Sequence, residues 1–180
     1  MFLVAFQSGI SISDDAFCGC HFFKREVMMK GFIRKLNINE YERCQEIRPM
    51  GNPPQSEDFF DDFKAGNRLI YVYEINGKFV GEAALVYEND DPDYTIPKIR
   101  IYMSRVIVNE NYRNQGIGAK LIEHLLKVAK EKGFKEVSIG VDEDNYVARH
   151  LYEKKMGFTT VLFKGEDEGG KYLKLMRKID

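Results

Sequence analysis

The chain has 180 residues and a mass of 20.9 kDa, with 44% hydrophobic and 31% charged residues, the balance of one globular domain able to bury its own core. A formal net charge of -1 without a concentrated basic stretch argues against nucleic-acid binding, and no apolar run approaches the roughly 18 residues of a membrane span. Three cysteines (Cys18, Cys20, Cys44) at no framework spacing suggest reduced thiols and a cytoplasmic protein, and the apolar residues 1–6 lack the basic flank of a secretory signal.

Residues 1–30 carry no sustained period and form an N-terminal extension to a domain over 31–180. Met28 or Met29 is an alternative natural start. Cys18-Gly19-Cys20-His21 has no second ligand pair at a fitting distance, so no metal site is expected. A strand over 31–37 leads to Asn39, a helix cap, and a helix ending before Pro49. Gly51-Asn52-Pro53-Pro54 is a break. A second helix follows over 55–65, capped by Ser56, with Phe59, Phe60 and Phe63 on one face. Two β-rich runs, 69–75 and 78–87, flank Asn76-Gly77, a hairpin turn in which both residues accept positive φ. An acidic loop, 88–93, precedes a strand over 97–108.

The last third has the clearest periodicity. Ile117, Leu121, Leu125 and Val128 form one apolar stripe on a helix over 116–132, closed by Gly133. A strand over 136–141, a helix over 145–156 and a hairpin of strands 159–164 and 172–177 complete a mixed α/β domain.

Two constellations carry chemistry. Arg113-Asn114-Gln115-Gly116-Ile117-Gly118-Ala119 lies between a strand end and a helix start. A small-residue turn there exposes successive backbone N–H groups at the positive helix end, suiting a diphosphate, and Arg113 adds charged donors. Glycines at 116 and 118 would let phosphate oxygens reach the amides; a turn needing only glycine flexibility is the plainer alternative. A dinucleotide fingerprint fails because Leu121 stands at its third glycine, and a triphosphate loop fails because Ala119 stands at its lysine. The second constellation is Asn145, Ala148, Leu151, Tyr152, Gly157 and Phe158. Tyr152 lies seven residues after Asn145, near the same helical face, where a phenol could give up a proton or merely pack.

Together, Val106-Ile107-Val108, Arg113 through Gly118 and Asn145 through Phe158 resemble the signature of the GNAT superfamily of N-acetyltransferases, over residues 31–180. Four residues, rather than three, separate Tyr152 from Gly157, a departure at the end of that helix. The resemblance implies a GNAT-type α/β fold whose twisted, mostly antiparallel sheet splays where acetyl-CoA enters, with no metal. It implies that backbone groups of Val106, Ile107 and Val108 pair with the pantetheine arm and that the Val108 amide polarises the thioester carbonyl. Amides over Gln115, Gly116, Ile117, Gly118 and Ala119, with Arg113 and Asn114, would hold the diphosphate. Asn145 would touch the pantetheine, and Tyr152 would protonate the departing sulfur after direct attack by an amine.

A base must neutralise that amine, because an alkylamine of pKa near 10 is charged at neutral pH. Glu82, mid-strand beside the 97–108 strand, is the candidate, with a solvent-facing strand residue as its alternative; Tyr102 and Ser104 could form a water-carrying relay instead. Glu57, Asp58, Asp61, Asp62 and the 88–93 loop could make an acidic mouth for a cationic amine, or only a solvated surface. The expected acceptor is a small-molecule or protein amine, with neither nucleic acid nor membrane as partner, and exposed strands near the C-terminus make a homodimer possible. A coenzyme A-binding module that senses acyl-CoA without turnover is the rival reading.

Overall fold

The computed structural model describes residues 31–48 and 57–179. The Cys18–His21 run, Met28, Met29 and the expected Ser56 cap lie outside them. The strands are β1 (Phe32–Lys35), β2 (Arg68–Ile75), β3 (Lys78–Val86), β4 (Arg100–Val108), β5 (Glu136–Asp142), β6 (Thr160–Asp167) and β7 (Gly170–Lys178). The helices are α1 (Glu57–Ala65), α2 (Ile117–Glu131) and α3 (Tyr146–Arg149), with a 3-10 helix over Ile38–Ile47, a single 3-10 turn over Glu110–Tyr112 and a π-helical turn over His150–Lys155. One seven-stranded sheet runs in the order β1-β2-β3-β4-β5-β7-β6. Each neighbouring pair is antiparallel except β4 with β5.

Local chemistry explains most boundaries. Asn76 (φ 50°) and Gly77 (φ 76°) turn β2 into β3 as their residue types dictate. The segment after β1 differs from expectation: it is a 3-10 helix capped by Asn37, whose Oδ1 accepts from the Asn39 amide at 3.1 Å. Its buried Cys44 and Ile47 stand three apart, as do the ion pairs of Arg43 with Glu40 (2.9 Å) and Glu46 (3.3 Å), a spacing that suits three residues per turn. β4 starts at Arg100 and not at 97, because Ile99 and Arg100 both donate to the Ile96 carbonyl around Pro97 and Lys98 (φ 62°). The final hairpin is longer than expected. Asp167 Oδ1 accepts from the Gly169 amide at 2.8 Å and closes a tight turn between β6 and β7.

The α2 stripe of Ile117, Leu121, Leu125 and Val128 is buried on one sheet face, with Leu85, Ile101, Met103, Ile139, Tyr152 and Phe158 in the same core. The 3-10 helix and α1 cover the other face around a smaller core that includes Ile47, Phe63, Val72 and Phe79. Gly81 allows close packing of α2: an added Cβ would lie 3.1 Å from both Ile117 Cγ2 and Leu121 Cδ1.

One irregularity shapes the rest. β3 pairs Glu82 with Ile107 and Ala84 with Ser104, so two β4 residues oppose one in β3, a bulge. Arg105 sits in it at φ 57°, a costly left-handed conformation for a non-glycine residue. Its Nε (3.1 Å) and Nη2 (2.7 Å) both donate to Glu82 Oε1, and Arg48 Nη2 lies 3.8 Å from the same oxygen. Glu82 is 1% exposed, which overturns the solvent-facing alternative. Removing one member of a buried pair leaves the other charge uncompensated, so Glu82→Ala should cost about 3–5 kcal/mol of stability in urea unfolding. A loss under about 1 kcal/mol would mean that the pair does not hold the bulge.

Candidate active site

Past the bulge the sheet opens. β4 pairs with β5 only from Arg100–Glu136 to Met103–Ile139, whereas β5 continues along β7 as far as Asp142. Among the described residues, 104–108 therefore have no strand partner on the β5 side. Val106, Ile107 and Val108 stand on this free edge, while Ile107 and Val108 keep their β3 partners Glu82 and Gly81. Such an edge can bond an extended, amide-bearing ligand as a sheet bonds a strand.

Below this edge the chain turns into α2. Asn114 (φ 60°) and Gly116 (φ 77°) are both left-handed, and Gly116 caps the helix without a side-chain bond. The first helical bond in this turn runs from the Lys120 amide to the Gly116 carbonyl (3.1 Å), so Ile117, Gly118 and Ala119 present uncapped amides. This geometry fits an anionic ligand. Arg113 is exposed, and its Nε donates to the Val108 carbonyl at 3.3 Å, tying the loop to the free edge. Positive φ explains Gly116. Within the protein itself a Cβ at Gly118 would meet Leu151 Cδ2 at an ordinary 3.5 Å and Val108 Cγ2 at 3.8 Å.

The third part is α3. Asn145 caps it, its Oδ1 accepting from the Ala148 amide at 3.1 Å. The extra residue before Gly157 is absorbed as a π turn, in which the Met156 amide bonds the Leu151 carbonyl at 2.9 Å. Gly157 (φ 72°) then ends the helix. Within that turn Tyr152 is 7% exposed, and its ring meets Phe158 edge-on at 6.2 Å. Among the described residues its hydroxyl has no hydrogen-bond partner. Burial, and secondarily the nearby Tyr102, push its pKa up to about 12, so the phenol keeps its proton at neutral pH.

Tyr152, Asn145 and Ala148 line a cleft of about 480 Å³ at the open end of the β4–β5 seam. Tyr94, Tyr102 and Gly140 line the same cleft. The structure thus joins the expected Tyr152 and Asn145 with Tyr102 in one cavity. It does not bring Glu82 there: Glu82 lines a separate, tight void with Phe59, Arg68 and Arg105. Nor does it bring Ser104, whose Oγ accepts from Arg68 Nη1 at 2.9 Å. The expected acidic mouth divides, Asp91 lining the Tyr152 cleft while Asp62, Glu88 and Asp90 line another depression.

Tyr94 and Lys174 escaped the sequence reading. Tyr94 sits in a turn without periodicity, and Lys174 looks like any outward residue of an alternating strand. The Asp91-Pro92-Asp93-Tyr94 run, a polar turn ending in an aromatic, was the available signal.

Burial raises Tyr152 and Tyr41 to about 12, and raises Tyr94, Tyr102 and Tyr71 as well. An unfolded phenol titrates near 10. The folded state therefore holds these protons more tightly, and its stability is full below about pH 10 and lost as pH rises toward about 12. Urea midpoints should fall steeply across that window; a flat profile would mean that the phenols are not buried in solution.

The acetyltransferase (GNAT) family model matches residues 33–158. The chain is 32% identical over 116 residues to N-alpha-acetyltransferase 30 of Schizosaccharomyces pombe, covering 64% of this chain and 74% of that one. It is 30% identical over 92 residues to the probable N-acetyltransferase camello of Xenopus tropicalis, covering 51% of this chain but only 39% of that protein's length. Its fold is similar to the structure of yncA, a putative acetyltransferase from Salmonella typhimurium with its cofactor acetyl-CoA (TM-score 0.64, 18% identity, 83% of this chain and 94% of that one). With the open seam, the uncapped turn and the capped α3 in their expected order, the chain belongs to the GNAT acetyltransferase family.

Proposed function

We propose that this protein transfers an acetyl group from acetyl-CoA to an amine by direct attack. The observation that carries the reading is Tyr152, a largely buried residue that lines the cleft at the open β4–β5 seam. Its hydroxyl has no hydrogen-bond partner among the described residues, and the fold also leaves the α2 start without a side-chain cap. The acetyl-CoA bound in the similar yncA structure supports the choice of co-substrate. The uncapped amides of Ile117, Gly118 and Ala119 fit its diphosphate, with Arg113, Asn114, Gln115 and Gly116 shaping the turn, and the free edge Val106–Val108 fits its amide-bearing arm.

Acetyl-CoA supplies an activated thioester. The amine nitrogen bonds the carbonyl carbon, the carbon–sulfur bond breaks, the sulfur takes the Tyr152 proton, and the phenolate so formed recovers a proton from solvent. The Val108 amide would stabilise charge on the carbonyl oxygen. The amine proton leaves to solvent, and Tyr102, in the cleft itself, is better placed than the ion-paired Glu82 to relay it through water. Glu82 would then act through the bulge, by keeping the seam open.

The acceptor in this reading is a small-molecule or protein amine; the N-alpha-acetyltransferase likeness supports the latter. The reading also places the protein in the cytoplasm, without metal, membrane or nucleic acid. Among the described residues no helix is long and apolar enough to cross a membrane. A homodimer would use the edge strand β6, where Val161 (48%) and Phe163 (41%) are exposed.

A thermal melt tests the co-substrate. Acetyl-CoA at about 100 times Kd should add roughly 2.7 kcal/mol and raise Tm by about 5–10 °C, with NADH and ATP inert. No shift with millimolar acetyl-CoA would sink the reading. Tyr152→Phe separates an enzyme from a sensing module: kcat should drop by about a hundredfold with the acetyl-CoA melting shift intact. Unchanged turnover would remove Tyr152 as the acid.

A further inference from the structure

Lys174 lies mid-strand in β7 and is 6% exposed, a position that an ammonium group tolerates only when paired. Its Nζ donates to Asp91 Oδ2 and, at 3.1 Å, to Asp93 Oδ2, both in the segment joining β3 to β4. The same Nζ lies 5.2 Å from the Tyr94 ring centroid and 4.4 Å from that of Phe163, within cation–π range. Two carboxylates and two rings thus grip one ammonium carried by an interior strand.

Asp91, Tyr94 and Lys174 line the same cleft as Tyr152 and Asn145, and none of them belongs to the 113–119 turn or to the free edge of β4. Tyr94 stacks on Tyr102 at 4.2 Å between ring centroids, and its hydroxyl lies 2.7 Å from where a Cβ on Gly140 would be. The glycine therefore leaves room that only the Tyr94 phenol fills. Arg100 and Ser138 fix the backbone beneath, through the Asp93 and Tyr94 carbonyls. Lys174 fixes the side chains above it.

We propose that Lys174, held by Asp91 and Asp93, is a positioning residue that sets the acceptor-side wall of the cleft through Tyr94, and so governs use of the amine and not of the coenzyme. This rests on the acetyltransferase reading. Without the ammonium, Asp91 and Asp93, whose side chains are already 31% and 36% exposed, turn toward water. Tyr94 then loses the cation above its ring and the wall widens over Gly140.

The test compares wild type, Lys174→Met and Lys174→Arg by amide hydrogen exchange with coenzyme A present. Initial rates follow, with acetyl-CoA against spermidine and against a short peptide with a free amino terminus. Lys174→Met should speed exchange over residues 91–95 by about tenfold. It should raise KM for whichever amine is used by about tenfold or more, with KM for acetyl-CoA held within about twofold. Lys174→Arg should restore both. Unchanged exchange over 91–95, or a KM for acetyl-CoA that rises together with that for the amine, overturns the proposal, the second outcome marking a merely structural lysine. If Lys174→Met does not fold, Asp91→Asn carries the same comparison and must reproduce the selective rise. Failure of coenzyme A to slow exchange over 113–119 in wild type would instead sink the acetyltransferase reading, a result read from a different peptide.

Discussion

The buried pair between Glu82 and Arg105 is the constraint from which the site follows. A non-glycine residue at φ 57° in a central strand is strained, and it persists only where surrounding contacts over-determine it. Here a carboxylate with almost no solvent access accepts two guanidinium bonds from the strained residue itself. The strain is local and the consequence extends along the strand: β4 leaves β5 at Ser104, and a free edge is created in the interior of the sheet. A regular β4 would zip onto β5 and close the seam.

Two other devices complete the site at that opening. Left-handed Asn114 and Gly116 leave the first amides of α2 uncapped, and a π turn carries Tyr152 under the seam. In each case backbone geometry departs from the regular form where chemistry is needed. Regular elements elsewhere hold these departures rigid, the α2 stripe against one face of the sheet and the 3-10 helix and α1 against the other. Another part of the cleft lining is built differently, from Tyr94 and the Lys174 ion pairs. It draws on β3–β4 loop and β7 residues some 80 positions apart in sequence.

Much of the fold was legible in the chain. Asn76-Gly77 specified its hairpin because both residues tolerate positive φ, and the 117-121-125-128 spacing specified a buried helix because it matches 3.6 residues per turn. The motif from Arg113 to Gly118 and the cap at Asn145 were legible for the same reason: their chemistry is local. The errors were local competitions decided by small differences. The segment after β1 became 3-10, Pro97 delayed β4, and the hairpin of β6 and β7 closed more tightly than its glycines suggested. The extra residue before Gly157 was visible as a departure, but not that a π turn would absorb it.

Glu82 shows where sequence reading stops. Its place in β3 was readable, but its burial, its guanidinium partner and its separation from Tyr152 depend on register with β4 and on packing beneath α1. Lys174 and Tyr94 are similar: nothing adjacent in sequence marks either, because their partners arrive through the sheet order β4-β5-β7. The sequence by itself determined the order of strands and helical segments, the family signature and the identity of the phenol at position 152, since these rest on periodicity, turn chemistry and spacing within a few residues. Only the tertiary structure decided which carboxylate is ion-paired, which phenols share a cleft and where the sheet opens. Those depend on contacts between distant segments, which no local pattern encodes.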